Sequence, residues 1–287
     1  MPESQGSDTT LLLVAGADGR TRARFAAGVD GHTPVDGREL SNGLLVALYG
    51  ALMQDGRTNL LDEPVGVPLA QWRDDPRGAI TPRQLFWQLS GLAGAPFRPL
   101  NPFSPLAQLA SGPDFRRAVF RTPLRYPPGS HYAASSANAQ LLALVASVHS
   151  GESHADTVQR YLWSRMAADP ATGLLDRRRG ELAAHCCFRA SAGDWLRLGL
   201  LLANHGRSGD LQILPGDFVE EVATASAVNP GQGLGFQVTA SAGGQRLLQL
   251  ASTGRRLMVA PDAGSALLWV GIGEPPEGLA DLLLQGQ

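Results

Sequence analysis

One segment limits the fold more than any other: Leu40 to Gln54 is apolar at nearly every position, including Leu44, Leu45, Val46, Ala47, Leu48, Tyr49, Ala51, Leu52 and Met53. A helix that is hydrophobic all round has no face to offer water, so it is expected to be buried on all sides. Gly56 supplies its stop.

The flanking sequence shows what could surround it. Thr9 to Ala15 and Arg22 to Ala27, joined by Gly16-Ala17-Asp18-Gly19, read as a β-hairpin. Near the other end, 233–240, 246–250, 256–260 and 265–271 are strand-like, and Pro275 to Leu284 closes with a helix. Between them the periodicity is helical. Thr81 is a cap with Pro82 at the first helical position, in a helix ending near Ser90-Gly91-Leu92. Further helices are expected over 136–150, 155–166, 191–204 and 215–223. Ala95 to Pro113, rich in Pro and Ser, is expected to be irregular and to line or cover a cleft. Strands at both ends with helices between predict an α+β fold: an antiparallel sheet flanked by helices, built from both termini. Residues 1–66 and 180–287 would form this discontinuous sheet part, and 67–179 an inserted, mainly helical region, with the cleft between the two.

The chain of 287 residues has 24 basic residues, every one an arginine. Arginine stays protonated and cannot act as the neutral amine base that a buried lysine becomes, so Schiff-base chemistry and a Walker-type phosphate lysine are excluded. Twenty-six acidic residues bring the formal charge to −2, a field that attracts neither nucleic acid nor anionic membrane. Met1 to Thr10 lacks the basic start of a signal peptide, and Leu11 to Ala15 is far too short to span a bilayer, so a cytoplasmic protein is expected. Cys186 and Cys187 are adjacent; a bond between neighbours would be strained, so no disulfide is expected, in keeping with a reducing compartment. The six histidines form no HxxxH or CxxC spacing, His149 and His154 read as part of a solvated turn, and neither metal nor cofactor is expected. Arg177 to Arg179 read as solvated.

Several strings resemble one family. Thr33-Pro34 and Asp62-Glu63-Pro64-Val65-Gly66 resemble the segments flanking a nucleophile helix in the serine β-lactamase and penicillin-binding-protein superfamily. Ile80-Thr81-Pro82-Arg83-Gln84-Leu85 through Ser90-Gly91-Leu92 resembles its ITxRxLL…TSGL stretch. Pro127-Pro128-Gly129-Ser130 with Asn138 and Gln140-Leu141-Leu142 resembles PPGxxFxYSNxNxxLLG. Arg189 to Trp195 with Gly199-Leu200-Leu201, then Ile213-Leu214-Pro215, resembles NATARDxARFGLL and its QxLP sequel. The likeness spans about Leu11 to Gly271 and is nearest the esterase and 6-aminohexanoate-dimer-hydrolase branch.

The resemblance implies a Ser-x-x-Lys element opening the apolar helix, with the Ser attacking an acyl group and the Lys taking its proton. Ungapped counting puts it on Glu39-Leu40-Ser41-Asn42. The family's Tyr-x-Asn falls on Ala134-Ser135-Ser136, and its Lys-Thr-Gly-like turn near Ser252-Thr253-Gly254. The first two elements are read as lost, and the third as keeping at most Thr253-Gly254. What remains is a set of candidates. Glu39, His131 and His185 are the candidate catalytic residues, as carboxylate or imidazole acids and bases. Asp36-x-x-Glu39 is also spaced like a capping box. Asn42, Ser136, Cys186, Ser252 and Arg255 are candidate substrate contacts, Arg255 for a carboxylate.

Three functions follow. The first is a repurposed, non-covalent acid/base enzyme acting on a small metabolite, ring-forming or isomerising, of secondary metabolism. The second is a pseudoenzyme that binds or scaffolds. The third is a hydrolase with a nucleophile relocated to Ser41, Ser135 or Cys186. The expected partner is a small molecule in the cleft, with a homodimer or a pairing with an active relative left open.

Overall fold

The computed structural model describes residues 9–94 and 104–285. In chain order the strands and helices are β1 (Thr9–Ala15), β2 (Thr21–Phe25), β3 (Pro34–Asp36), α1 (Leu40–Gln54), α2 (Pro82–Phe86), α3 (Pro105–Ser111), α4 (Phe115–Arg121), α5 (Ser136–Ser150) and α6 (His154–Val158). There follow β4 (Arg189–Ser191), α7 (Ala192–Ala203), β5 (Arg207–Ser208), β6 (Leu211–Gln212), α8 (Phe218–Ala223), β7 (Gln237–Ala240), β8 (Arg246–Ser252), β9 (Arg255–Ala260), β10 (Ser265–Gly271) and α9 (Leu279–Leu284).

Six strands form one antiparallel sheet in the order β2-β1-β10-β9-β8-β7. The first and last strands of the chain are therefore neighbours, Leu12 facing Trp269 and Val14 facing Leu267. Alternation along each strand divides the side chains between two cores. Leu12, Val14, Met258, Leu267 and Trp269 meet α9 through Leu279 and Leu283, while Leu11, Leu13, Leu257 and Leu268 face the larger core that contains α1 and α7. The expected α+β sheet, assembled from both ends and flanked by helices, is what the chain forms.

α1 is enclosed as its composition demands: Leu40, Val46, Ala47, Leu48, Tyr49, Ala51 and Leu52 have no exposed surface. Burying each large apolar side chain contributes roughly 1.5–3 kcal/mol, so this helix anchors the core. Its neighbours are α5, α7 and β8, and the Tyr49 hydroxyl donates to the Leu142 carbonyl of α5 at 3.0 Å. Close approach depends on small residues. A Cβ at Gly43 would lie 2.7 Å from a methyl of Leu250 on β8.

Local signals set the other helices. Thr81 and Gln84 form a reciprocal capping box on α2, but that helix stops at Phe86 because Gln88 takes a left-handed φ of 58°. In the stretch expected to be irregular, Ser104 accepts from Ala107 N at 3.2 Å and Pro105 starts α3; residues 95–103 lie outside the described residues. The single helix expected over 155–166 is the short α6 followed by a π-turn, Gln159–Trp163. The arginine loop is partly paired, with Arg178 Nε 3.4 Å from Asp114. His154 is buried rather than solvated.

Candidate functional site

Four of the positions singled out in the sequence, Glu39, Asn42, Ser252 and Arg255, lie at the N-terminus of α1 or on the hairpin tip that meets it. Glu39 is the residue before the helix, exposed and with helical dihedrals, and its side chain caps nothing. The capping box suggested by Asp36 and Glu39 does not form. Asp36 Oδ1 instead accepts from Arg38 N at 3.3 Å, and Arg38 takes a left-handed φ of 45°. The first amides of the helix are satisfied by turn carbonyls: Leu40 N by Gly37 O at 2.8 Å, Ser41 N by Arg38 O and Asn42 N by Glu39 O, both at 3.0 Å.

The tip of the β8–β9 hairpin reaches the same place. Ser252 pairs with Arg255 across a turn made by Thr253 and Gly254. Gly254 has φ 73°, and a Cβ there would lie 2.4 Å from Gly271 O, so both conformation and space call for glycine. Arg255 Nε donates to Asp36 O at 2.7 Å. Burial pulls the Arg255 guanidinium below its usual pKa and the like charge of Arg38 adds to this, while Asp36 and Glu39 oppose it. Glu39, Arg255, Asp36 and Arg38 are thus one electrostatic group.

The other candidates are occupied or distant. Ser41 is 2% exposed, and its hydroxyl has no partner; the buried Ser252 hydroxyl has none either. Asn42 is half-buried beside Gly235. Ser135 caps α5, accepting from Ala137 N at 3.3 Å and donating to Ala93 O at 2.9 Å, and Ser136 is exposed. His131 is exposed, stacked on Tyr126 at 4.4 Å with its Nδ1 2.8 Å from Ser130 Oγ. His185 sits between Gln140 Oε1 at 3.1 Å and Leu109 O at 3.2 Å, and burial lowers its pKa to about 4. Among the described residues no hydrogen bond or ion pair joins His131 or His185 to Glu39.

The cysteines require a correction. Cys186 and Cys187 are disulfide-bonded to each other, their Cα atoms 3.7 Å apart. A left-handed φ of 68° at Cys187 accommodates the bond between neighbours, so Cys186 presents no thiol to a substrate.

Sequence reasoning passed over a buried polar network beneath the α5 N-terminus. Asn138, fully buried, donates to Gln88 Oε1 at 2.8 Å and accepts from Ser90 Oγ at 2.7 Å. Ser90 and Asn138 stand in the strings that carry the family resemblance, but nothing in the sequence joined them to each other or to Gln88. Among the described residues no group of three His, Cys, Asp or Glu side chains could hold a metal, and no helix is long and apolar enough to cross a membrane.

A six-stranded antiparallel sheet, with a largely buried helix whose N-terminus meets the tip of an inner hairpin, defines the serine β-lactamase and penicillin-binding-protein class of fold. The Beta-lactamase family profile matches residues 43–282, and the chain belongs to that family. Solved structures agree on the fold. A putative 6-aminohexanoate-dimer hydrolase from Bacillus anthracis superposes with a TM-score of 0.79 at 19% identity, covering 98% of this chain and 78% of that one. EstCE1, a hydrolase with promiscuous acyltransferase activity, gives 0.72 at 17%, covering 96% and 93%. A class C β-lactamase from Rhodobacter sphaeroides gives 0.67 at 14%, covering 97% and 93%. No curated protein matches the sequence.

Proposed function

We propose that this Beta-lactamase-family chain does not carry out acyl-enzyme hydrolysis and acts as a binding protein for a small carboxylate-bearing molecule at the α1 N-terminus. The observation that carries this reading is that none of Ser41, Ser135 and Cys186 has a base beside it. Ser41 is buried without a partner, Ser135 spends its hydroxyl on a cap, and Cys186 is in a disulfide. Activation of a hydroxyl needs an adjacent general base or a depressed pKa. Arg38 and Arg255 supply the cationic group for a carboxylate.

Incubation with a fluorophosphonate and with a β-lactam, read by intact mass, is expected to leave the protein unmodified. A stoichiometric adduct would overturn the reading.

A second reading, non-covalent acid/base chemistry, is favoured by the solvent access of Glu39 beside Arg255. Mass spectrometry of small-molecule extracts incubated with wild type and with Glu39→Gln tests it. A metabolite converted by wild type alone would replace the binding protein with an enzyme.

A further inference from the structure

Neither the fold nor the proposed binding role calls on the bond between Cys186 and Cys187. A crosslink stabilises a protein chiefly by closing a long loop of the unfolded chain. These cysteines are neighbours in sequence, so their bond closes no such loop and joins no two elements. What it constrains is the backbone between them. Cys187 takes a left-handed φ of 68°, which brings the Cβ of an L-residue too close to the carbonyl that follows it. Both residues are half-buried, so solvent reaches this bend before β4.

The chain is pinned on either side of the pair. Before it, His185 lies between Gln140 Oε1 at 3.1 Å and Leu109 O at 3.2 Å, and its ring meets Phe115 edge-on at 5.3 Å. After it, the buried Phe188 ring packs edge-on against Trp163 at 5.2 Å and Trp195 at 6.0 Å. The Phe188 carbonyl accepts from Gly37 N at 2.7 Å, and β4 then pairs Arg189 with Asp36 and Ala190 with Val35. Gly37 O in turn accepts from Leu40 N, the first amide of α1. The fit is tight: a Cβ on Gly37 would lie 2.3 Å from the Trp195 ring and 3.1 Å from Phe188 O. A rotation at Cys187 therefore has little chain in which to dissipate, and the first hydrogen bond it meets downstream is the one that holds the turn into α1.

We propose that Cys186 and Cys187 form a redox-sensitive switch of the α1 N-terminus, opened by a small dithiol. A thiolate of the reductant attacks the sulfur of one cysteine, and the other cysteine leaves as a thiolate and takes up a proton. The second thiol of the reductant then attacks its own sulfur in the mixed disulfide, freeing the first cysteine, which is protonated in turn. The pair gains two electrons and the two protons that the dithiol gives up, and the dithiol leaves as a cyclic disulfide. Exchange with a small-molecule disulfide runs the cycle backwards. With the ring open, Cys187 relaxes to a negative φ, Phe188 O turns away from Gly37 N, and the turn through Arg38 and Glu39 loosens. The switch acts on the turn itself, whichever ligand the α1 N-terminus takes.

Wild-type protein is compared with and without dithiothreitol by hydrogen exchange and mass spectrometry, a separate aliquot being alkylated with iodoacetamide to count thiols. Both cysteines should be alkylated without denaturant after reduction. The Gly37 and Leu40 amides should exchange at least about tenfold faster in the reduced form, while Leu267 and Leu268 in the central β10 exchange alike in both. Cys187→Gly, which takes a left-handed φ without a bond, should exchange over 36–40 like the oxidised protein, and Cys187→Ala like the reduced one. The wild-type comparison decides the matter even if a variant folds poorly. Thiols that appear only on denaturation would overturn the switch, as would unchanged exchange over 36–40 on reduction, a rise that extends through β10, or a Cys187→Gly protein that exchanges like Cys187→Ala.

Discussion

Asp194 tests whether the family's characteristic helix is held by a buried charge. Its side chain has no exposed surface. Oδ2 accepts from Ser191 Oγ at 2.6 Å and from Asp169 N at 3.1 Å, and Oδ1 accepts from Arg197 Nη1 at 2.5 Å. Asp194→Ala removes all three bonds and strands the Asp169 amide. Hydrogen bonds to a charged acceptor contribute about 1.5–3 kcal/mol each, and a stranded buried donor costs about 1–3 kcal/mol. The Arg197 side chain is 47% exposed and returns to water, so its pair is discounted. The two remaining bonds put the loss at about 3–6 kcal/mol. Asp194→Asn can keep its amide oxygen on Ser191 and Asp169 while its amide nitrogen displaces Arg197, for a loss of about 1–2 kcal/mol. For a chain of this size 1 kcal/mol moves Tm by about 2–4 °C, so calorimetry should place the Ala variant roughly 6–24 °C below wild type and the Asn variant less than halfway there. An Ala variant within about 2 °C of wild type would refute the assignment, and equal losses for both variants would show that the Arg197 pair carries the energy.

Two further outcomes follow from the same structure. Burial depresses both His154 and His185 to about 4; the unfolded chain, with histidines near 6.5, then binds the extra protons, so stability falls as pH drops from about 6.5 toward 4, by about 1.4 kcal/mol per pH unit for each histidine. Urea midpoints at pH 7.5 and 5 should differ accordingly, with His154→Gln showing the smaller difference; identical wild-type midpoints would contradict the burial. Denatured, unreduced protein should show no thiols by colorimetric titration and two after reduction; two thiols without reductant would remove the disulfide.

Much of the fold was legible because its signals are local. The buried α1 follows from unbroken apolarity, α2 from its Thr81 cap and Pro82, and the first two strands from the Gly- and Asp-rich turn between them. α3 was hidden by its own composition: Pro105 reads as a breaker, yet proline at the first helical position behind Ser104 is a start signal. The left-handed φ of Cys187 and Gln88 could not be anticipated, since neither residue favours it and packing imposes it. The candidate site was legible in position more than in state. Counting along the chain put Glu39 and Arg255 in one region, where the structure also has them, but the engagement of His185 by Leu109 and Gln140 spans 76 and 45 residues of sequence.

The same distinction bears on what holds the three segments together at the α1 N-terminus. The buried surface of α1 begins at Leu40, and Glu39 before it is exposed, so the residue at that position contributes little to the core. The tip of the β8–β9 hairpin depends on Gly254, where the backbone of Gly271 leaves no room for a Cβ, and on Arg255 reaching the Asp36 carbonyl through its guanidinium. α5 is capped by Ser135 and secured through Asn138, and needs no phenol beside them. Packing therefore fixes where the three segments meet and leaves the chemistry at their meeting point free to change. A family-level match in fold accordingly fixes the meeting of these segments and does not by itself fix a reaction.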